Sequence, residues 1–363
     1  MIRIPVATPS RRYEVLLGSG SLSHAGEALR PVLANRRVFI VSVSPVRRRW
    51  GKILEKALAE GDIRTAFLEM PDGERFKRLS TLEKLAERLV ELGADRGATL
   101  IALGGGVVCD VTGFLASVYM RGVDVVQIPT TVLAQVDAAI GGKTGVNLRS
   151  GKNLLGTFHQ PRAVLIDPVV LSTLPSREYR AGLYESLKSG VIGDRSLFEL
   201  FEDRRREILD RDAEVVEKVI ADSVRLKASV VSADEREGGL RQVLNFGHTI
   251  GHALEAETRY KRLLHGEAVA WGMIAATNIA LSTGKLDSVT AGRITNAIRG
   301  FGRLPRMNVQ TAGIVKRLQS DKKTRQGVVH FVLPREIGKV EIVSDVPFTV
   351  VKSAVEEMRN MAS

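Results

Sequence analysis

The stretch ATLIALGGGVVCDVTGF, residues 98–114, contains the pattern that decides the fold. It begins with an apolar run that has the composition of a strand buried on both faces. Three glycines, residues 104–106, follow directly, and an apolar segment of helical character comes next. This order predicts a strand that turns tightly into a helix, where backbone amides are able to approach a phosphate.

Apolar, β-prone runs alternate with helical patterns on both sides of this stretch. Further strands are predicted for VFIVSVS (38–44), IRTAFLEM (63–70), VDVVQIP (123–129) and RAVLIDP (162–168). Helices are predicted between them, over 45–61 and 80–93. Such alternation with short links predicts a parallel sheet with helices on both faces.

The pattern changes near residue 175, after which most segments fit amphipathic or buried helices. One exception is a pair of apolar runs within residues 328–345, which predicts a small hairpin around Gly338. The sequence therefore predicts an α/β domain over residues 1–174, followed by a mainly α-helical domain over residues 175–363.

Composition places the chain among ordinary globular proteins. Its length of 363 residues is enough for two domains with sizeable cores. The hydrophobic fraction of 44% and the charged fraction of 26% are both ordinary for a globular protein. No apolar run reaches a membrane-spanning length, and the N-terminus lacks the apolar segment of a secretory signal. Cys109 is the single cysteine, so an internal disulfide is excluded and a reducing, cytoplasmic setting is expected.

The net charge of +12 is compatible with three interpretations. Basic runs at residues 47–49 and 204–206 are compatible with nucleic-acid binding, which uses such charge for phosphate contacts. Aromatic residues make up only 5% of the chain and are not interleaved with these runs, which favours solvated helix faces. The third interpretation is an anionic small substrate.

The glycine-rich turn is an imperfect dinucleotide-binding fingerprint. Read as GxGxxG, it has Gly104 and Gly106, but Cys109 stands where the third glycine belongs. The turn alone is equally compatible with a plain connection between strand and helix. The segment DGERFK, residues 72–77, is predicted at another strand end on the same side of the sheet, which favours a ligand crevice there.

The GKT triplet at residues 142–144 resembles the end of a phosphate-binding P-loop. That loop requires a glycine at the position that Asp137 occupies, so we reject this interpretation. What remains is Lys143, Lys152 and Asn153 in a glycine-rich segment. Such lysines hold phosphate or carboxylate groups as point charges, although an exposed polar loop explains them equally well.

Three of the six histidines, His248, His252 and His265, lie within eighteen residues. If the surrounding stretch LNFGHTIGHALEAE is helical, His248 and His252 lie one turn apart, which is the spacing of a two-histidine metal site. His265 and Glu267 are then candidates for further ligands. Zinc is favoured for such a set, and cobalt fits similar sites. The alternative is three histidines that are unrelated in space.

Glu185 and Lys188 form a second candidate pair, within YRAGLYESLKSGVI. Because they are three residues apart, a helix places them on one face. By itself this spacing indicates an ordinary surface ion pair.

These stretches belong to a larger set of blocks by which the chain resembles the 3-dehydroquinate synthases, within the sugar phosphate cyclase superfamily. The blocks follow the family order over roughly residues 70–330. They are DGERFK, LGGGVVCDVTGF, YMRGVDVVQIPTTVLAQVDAAIGGKTGVN, GKNLLGTFHQP, TLPSREYRAGLYESLK, DEREGGLRQVLNFGHTIGHALE, LHGEAVAWGM and DKK.

The resemblance implies a shikimate-pathway enzyme that converts 3-deoxy-D-arabino-heptulosonate 7-phosphate to 3-dehydroquinate and phosphate. It implies a Rossmann-like, NAD-binding first domain and a second domain that binds metal and substrate. In the implied reaction NAD+ oxidises the C5 hydroxyl, phosphate leaves by elimination, and the hydride returns before an intramolecular aldol step closes the ring. The implied cofactors are NAD+ and one divalent metal, Zn2+ or Co2+, and no nucleic-acid or membrane partner is expected.

The resemblance also implies roles for individual residues. The metal ligands are Glu185, His248 and His265, and this replaces the pair of His248 with His252. The substrate-binding residues are Arg121, Asp137, Lys143, Asn153, Lys188, Lys227, Arg241, Asn245, His252 and one of Lys322 and Lys323. Catalytic roles fall to Lys143, Lys188, Lys227, Glu237 and His252. The NAD-binding residues are Asp72, Gly73, Glu74, Lys77, Gly105, Gly106, Val107, Asp110, Thr130, Thr131, Asp137, Lys143 and Lys152.

The resemblance further implies a homodimer in which Arg121 reaches the substrate phosphate of the neighbouring subunit. The chain departs from the family pattern at Cys109, at Ala138-Ala139, and at Tyr184 and Ser186 beside the implied metal ligand. Three alternatives remain open at this stage: a related cyclase, including aminodehydroquinate synthase; a metal-dependent alcohol or glycerol dehydrogenase; and a basic nucleic-acid-binding protein.

Overall fold

The computed structural model describes residues 1–307, 309–324 and 328–362, without the side chains of residues 320–324 and 362. Two compact units form within it, which we call the N-terminal unit (Met1–Pro175 with Val216–Arg236) and the C-terminal unit (Ser176–Val215 with Glu237–Ser363). Among the helices described, none is both long and apolar enough to cross a membrane.

The N-terminal unit is an α/β structure. Its strands are β1 (Ile2–Ala7), β2 (Arg12–Leu17), β3 (Val38–Val43), β4 (Thr65–Met70), β5 (Thr99–Gly104), β6 (Asp124–Pro129), β7 (Lys143–Val146), β8 (Leu155–Phe158) and β9 (Ala163–Ile166). Its helices are α1 (Ala25–Leu33), α2 (Ser44–Val46), α3 (Lys52–Glu60), α4 (Leu79–Glu91) and α5 (Gly106–Val118), with a π-helical turn, Arg47–Gly51, joining α2 to α3.

Seven of these strands form one sheet in the order β1-β2-β9-β6-β5-β3-β4. All neighbours are parallel except β1 and β2, which pair antiparallel. From β3 the chain continues to β4 on one side of it, and then crosses to β5 on the other side, so the strand order reverses at the boundary of β3 and β5. In open α/β sheets, ligands bind at the carboxyl ends of the strands beside such a reversal.

The two faces of this sheet bury different helices because successive strand residues point in opposite directions. Phe39 and Val41 of β3 pack in one core with Leu85 of α4. Ile40, between them in sequence, packs in the other core with Leu29 of α1. The predicted parallel sheet with helices on both faces is confirmed. The β1–β2 hairpin at the edge of the sheet had not been predicted.

The C-terminal unit is mainly helical. Its elements are α6 (Ser176–Gly193), α7 (Arg195–Asp203), α8 (Arg205–Asp210), the first residues of α9 (Ala213–Ala233), α10 (His248–Glu257), α11 (His265–Ser282), α12 (Ser288–Gly300), α13 (Thr311–Thr324), β10 (Phe331–Glu336), β11 (Lys339–Val343) and α14 (Phe348–Ala362). Strands β10 and β11 pair antiparallel, with Gly338 at φ 89° in the turn, so the predicted hairpin is confirmed.

Helix α9 divides differently from the sequence-based boundary at residue 175. From Val216 onward it belongs to the N-terminal unit. Its Glu217 accepts hydrogen bonds from the backbone and hydroxyl of Ser19, and Ser232 accepts one from the Ala7 amide. The helical pattern was visible in the sequence, but the partner against which the helix packs was not.

Candidate active site

The glycine-rich turn connects the end of β5 to the first residue of α5, Gly106. The Thr130 amide, just after β6, donates to the Gly104 carbonyl at 2.9 Å. A Cβ atom on Gly105 would lie 3.1 Å from Thr131 Cγ2, so a larger residue crowds this approach. Bare backbone therefore forms the start of α5, where free amides and the helix dipole favour an anion.

The turn lies where the topology predicts a ligand. It follows β5, which is one of the two strands at the reversal of strand order. Val107, in the first turn of α5, and the pair Thr130-Thr131 lie at the same carboxyl edge of the sheet. The predicted nucleotide-binding residues of these two segments are thus at adjacent strand ends.

Cys109, which departs from the family pattern, is 1% exposed. Burial, together with the negative charge of Asp110, raises the pKa of its thiol well above the ordinary range. The thiol is therefore uncharged and packs as a small apolar side chain.

A second group of predicted residues meets around Lys77, which follows the turn after β4. Its ammonium contacts the Asp110 carboxylate of α5 and the Asn153 side-chain oxygen, and the lysine is buried. Burial raises the pKa of Asp110, and the Lys77 charge opposes that effect. These contacts join the DGERFK segment, α5 and the loop after β7 into one polar network.

The same network continues on its more exposed side through Glu74. Asn147 donates to Glu74 at 2.8 Å, and the Lys152 ammonium lies 3.8 Å from the same carboxylate. Asp72 and Gly73 precede it in the turn, with Gly73 at φ 107°. Asn147 was missed by sequence reasoning, although it lies between Lys143 and Lys152 in the polar segment that was singled out.

Lys227 and Asp137 form an ion pair within the N-terminal unit, in which the lysine is buried and the aspartate is partly exposed. The Lys227 ammonium contacts the Asp137 carboxylate and donates to its backbone carbonyl at 2.6 Å. Lys143, at the start of β7, is exposed. Asp137 and Lys227 are ninety positions apart in the sequence, which explains why no local pattern predicted their contact.

The candidate metal centre lies within the C-terminal unit. Glu185, in the middle of α6, is 1% exposed, and its Oε1 lies 3.6 Å from His265 Nε2 and 3.9 Å from His248 Nε2. Among the described residues, this buried oxygen has no hydrogen-bond partner. A buried carboxylate oxygen is costly in that state, and a cation held between it and two imidazoles removes the cost. One carboxylate and two imidazoles are a donor set that suits Zn2+ or Co2+.

Both histidines of this set are the first residue of a helix, His248 of α10 and His265 of α11. The neutral form of an imidazole is the one that binds metal. His248 Nδ1 lies 3.2 Å from the Phe246 carbonyl oxygen. In the tautomer that donates this hydrogen bond, the lone pair of Nε2 is available toward Glu185.

The observed helix covers less of the histidine-rich stretch than the sequence predicted. Residues Leu240–Asn245 form a 3-10 helix, and α10 begins only at His248. The His248 and His252 rings are 5.3 Å apart, as one helical turn requires, yet His265 is also 5.3 Å from His248. His248 groups with Glu185 and His265, whereas the exposed His252 groups with Glu255 and His265.

Glu267, which the sequence suggested as a further metal ligand, makes other contacts. It accepts two hydrogen bonds from Arg177 at 2.7 Å and one from the Leu264 amide at 2.8 Å. It thereby caps the start of α11 and fixes the orientation of the helix that carries His265.

Lys188 is the nearest cation to the candidate metal centre among the contacts described. Its ammonium lies 2.5 Å from Oε2, the other carboxylate oxygen of Glu185. The expectation of an ordinary surface ion pair is wrong, because both side chains are almost fully buried. The lysine balances the charge of the carboxylate and provides a fixed ammonium donor at the site.

The remaining predicted residues of the C-terminal unit lie before α10 and on α13. Arg241 is 1% exposed, and Asn245 donates to Glu237 at 3.0 Å. Lys322 and Lys323 fall in the last turn of α13, and their side chains lie outside the described part of the structure.

Arg121 belongs to the N-terminal unit, in the turn between α5 and β6. It is exposed, and three successive residues, Met120, Arg121 and Gly122, have positive φ angles of 47°, 70° and 120°. Two successive non-glycine residues in the left-handed region are uncommon. The turn places Arg121 at the amino end of β6, the opposite end from the glycine-rich turn.

Comparison with known proteins gives consistent results. The N-terminal model of 3-dehydroquinate synthase matches residues 67–181, and the C-terminal model matches residues 182–324. The chain is 54% identical over 363 residues to the 3-dehydroquinate synthase of Koribacter versatilis (strain Ellin345), covering 100% of this chain and 99% of that protein.

Two solved structures are similar along almost the whole chain. One is ValA, a 2-epi-5-epi-valiolone synthase from Streptomyces hygroscopicus subsp. jinggangensis 5008 with NAD+ and Zn2+ bound, at a TM-score of 0.88 and 32% identity, covering 96% of this chain and 97% of that one. The other is a 2-deoxy-scyllo-inosose synthase complexed with carbaglucose-6-phosphate, NAD+ and Co2+, at a TM-score of 0.88 and 27% identity, covering 98% and 99%.

Proposed function

The chain belongs to the 3-dehydroquinate synthase family, and we propose that it converts 3-deoxy-D-arabino-heptulosonate 7-phosphate to 3-dehydroquinate and phosphate. This is a carbon–oxygen lyase reaction, because phosphate leaves by elimination. The identity of 54% to a 3-dehydroquinate synthase, against 32% and 27% to the two other cyclases, supports this substrate over theirs.

The proposed cofactors are NAD+ and one divalent metal ion, Zn2+ or Co2+. NAD+ would be held at the glycine-rich turn and the Lys77–Asp110 network, and it supplies a reversible hydride acceptor when bound. Glu185, His248 and His265 would hold the metal, which supplies Lewis-acid polarisation of a hydroxyl when bound. The single observation that carries the metal assignment is the buried, unpartnered Oε1 of Glu185 facing two imidazoles.

The protein's own side chains have separate tasks in this proposal. The substrate carries a phosphate and a carboxylate, and lysine and arginine side chains suit both groups. Lys188 fixes the orientation of Glu185 and offers an ammonium to the substrate. His252, which is exposed while its ring lies close to two other histidines, accepts or returns a proton.

The remaining residues that the resemblance assigned keep their proposed roles. The further substrate contacts are Asp137, Lys143, Asn153, Lys227, Arg241, Asn245 and one of Lys322 and Lys323, and Glu237 is a further catalytic candidate. We also propose a cytoplasmic enzyme, supported by a single, buried cysteine.

We propose further that the enzyme is a homodimer in which Arg121 binds the substrate phosphate of the partner subunit. The proposal is supported by the strained turn that presents Arg121 to solvent at the amino end of β6. An arginine suits this task because its planar donors bind two phosphate oxygens at once. A two-fold dimer would place two such arginines symmetrically.

The decisive experiment incubates metal-loaded protein with the heptulosonate phosphate and a catalytic amount of NAD+. Phosphate release and the carbocyclic product are measured together with absorbance of NADH. We expect one phosphate per carbocycle and no accumulation of NADH. Stoichiometric NADH formation would instead assign a dehydrogenase, and an absence of phosphate release under these conditions would refute the proposed reaction.

A further inference from the structure

The two ring nitrogens of His265 face two different carboxylates. Its Nε2 lies 3.6 Å from Glu185 Oε1, on the side of the candidate metal centre. Its Nδ1 lies 3.3 Å from Glu255 Oε2, which is within hydrogen-bond distance. All three residues belong to the C-terminal unit. The family resemblance assigned no role to Glu255.

Glu255 is placed for this contact by the helix that also carries two of the histidines. It is seven residues after His248 and three after His252, so all three side chains lie on one face of α10. It is 3% exposed. A carboxylate buried to this extent is costly unless it is hydrogen-bonded, and the His265 imidazole provides a donor.

We infer that Glu255 is a positioning residue that sets the tautomer and orientation of His265. It accepts the Nδ1–H of the imidazole and thereby leaves the Nε2 lone pair directed toward Glu185. A carboxylate in this position also makes the imidazole a more basic ligand than a neutral acceptor does. The effect on metal binding rests on the proposed function, whereas the effect on the tautomer does not.

The two candidate metal ligands on the helix starts are thus supported unequally. His248 has a neutral backbone acceptor at its Nδ1, the Phe246 carbonyl. His265 has a buried, ionisable acceptor on a different helix. Removing the charge at Glu255 should therefore weaken the His265 bond to metal and leave the His248 tautomer unchanged.

A competing role for Glu255 is possible on geometry alone, because His252, Glu255 and His265 form a second group with metal-binding spacing. In that arrangement a carboxylate oxygen and Nδ1 of His265 are both ligands, and the Nδ1–H hydrogen bond is lost. The two roles make different predictions for the effect of a neutral isostere at Glu255 on zinc affinity.

The first test reads the tautomer directly in metal-free protein. With only six histidines, selective 15N labelling and two-bond proton–nitrogen spectra at alkaline pH resolve each ring, and the spectrum of His265→Asn assigns His265. We expect the Nδ1–H tautomer in the wild type and in Glu255→Gln, since the amide oxygen still accepts. We expect a shift toward Nε2–H in Glu255→Ala. An unchanged tautomer in Glu255→Ala would overturn the inference.

The second test measures zinc affinity by competition with a chelator. Loss of an outer hydrogen-bond partner typically lowers metal affinity by about 10–100-fold, so we expect a loss near 10-fold for Glu255→Gln and a larger one for Glu255→Ala. The matched control is Glu257→Gln. Glu257 is on the same helix but two residues after Glu255, so it lies on a different face, where it pairs with Arg317. This variant should bind zinc as the wild type does.

Two outcomes of the second test would contradict the inference. If Glu255→Gln binds zinc as tightly as the control, the carboxylate has no influence on His265. If it loses zinc as completely as Glu185→Gln, Glu255 is itself a ligand. If the wild type keeps the Nδ1–H tautomer but binds no zinc, the positioning contact stands and the proposed metal dependence fails.

Discussion

Replacing Gly266 by alanine should disconnect His265 from Glu185. Gly266 follows His265 in the first turn of α11, where it packs against Ala181 of α6. An ideal Cβ atom on Gly266 would lie 2.6 Å from the Ala181 carbonyl carbon and closer still to its oxygen. Ala181 is one turn before Glu185, so it lies on the same face of α6 as the candidate ligand.

The size of the effect follows from these distances. Ordinary van der Waals contact begins at 3.4 Å, so α11 must move from α6 by at least about 0.8 Å. A displacement in the same direction at His265 would lengthen the 3.6 Å separation of Nε2 from Glu185 Oε1 to at least about 4.4 Å. One zinc ion with bonds of about 2.1 Å spans at most about 4.2 Å between two ligands.

We therefore expect Gly266→Ala to lower zinc affinity by more than about 100-fold, since one ligand is lost rather than only its support. Crowding at the helix contact should also lower the free energy of unfolding of the metal-free protein by about 1–3 kcal/mol. Chelator competition and urea unfolding measure the two effects separately.

The matched control is Gly292→Ala in α12, because a Cβ atom there meets no described atom within 4 Å. Alanine in that helix should leave zinc affinity unchanged and raise the free energy of unfolding by about 0.4–1 kcal/mol. The reasoning would be refuted if Gly266→Ala behaved like Gly292→Ala in both assays.

Three further predictions test other parts of the protein. His248→Ala should lose bound zinc while His252→Ala retains it, as metal analysis would show. Equal loss of zinc from both variants would instead favour His248 and His252 as the pair of metal ligands. Mixing two inactive variants, Arg121→Ala and Lys188→Ala, after reversible dissociation should restore phosphate release if Arg121 acts in trans, whereas a mixture as inactive as its parents would place it within its own chain. Although burial by itself raises the pKa of Glu235, hydrogen bonds from neighbouring hydroxyl, amide and backbone groups hold that pKa below its usual value. Its contribution to stability should therefore be present at neutral pH and be lost as the pH falls through the lowered pKa, so the difference in unfolding free energy between wild type and Glu235→Gln should shrink on acidification.

Local sequence was sufficient for much of the N-terminal unit. The strands predicted at VFIVSVS and ATLIAL form as β3 and β5, because continuous apolar runs that end in turn residues specify buried strands. The glycine turn was also predictable, because a run of three glycines after a strand marks a tight turn, and a side chain at Gly105 would crowd Thr131. The β1–β2 hairpin was not predicted, because its pairing with the distant β9 makes it part of the sheet.

The candidate metal centre was only partly predictable from the residues themselves. The sequence contained the right residue types, but helical spacing favoured His248 with His252, which are local partners. The structure instead brings Glu185 from α6, more than sixty residues earlier, to both His248 and His265. Periodicity reports only which side chains share a face of one helix.

The sequence by itself determined most of the secondary structure, the glycine turn and the chemical types of the candidate ligands, because these follow from local propensity and composition. Only the tertiary structure decided which of those side chains meet. The approach of α11 to α6 at Gly266 sets the distance from His265 to Glu185, and the packing of α10 aims Glu255 at the opposite nitrogen. Contacts between segments far apart in sequence depend on how whole helices pack, and no local pattern encodes that packing.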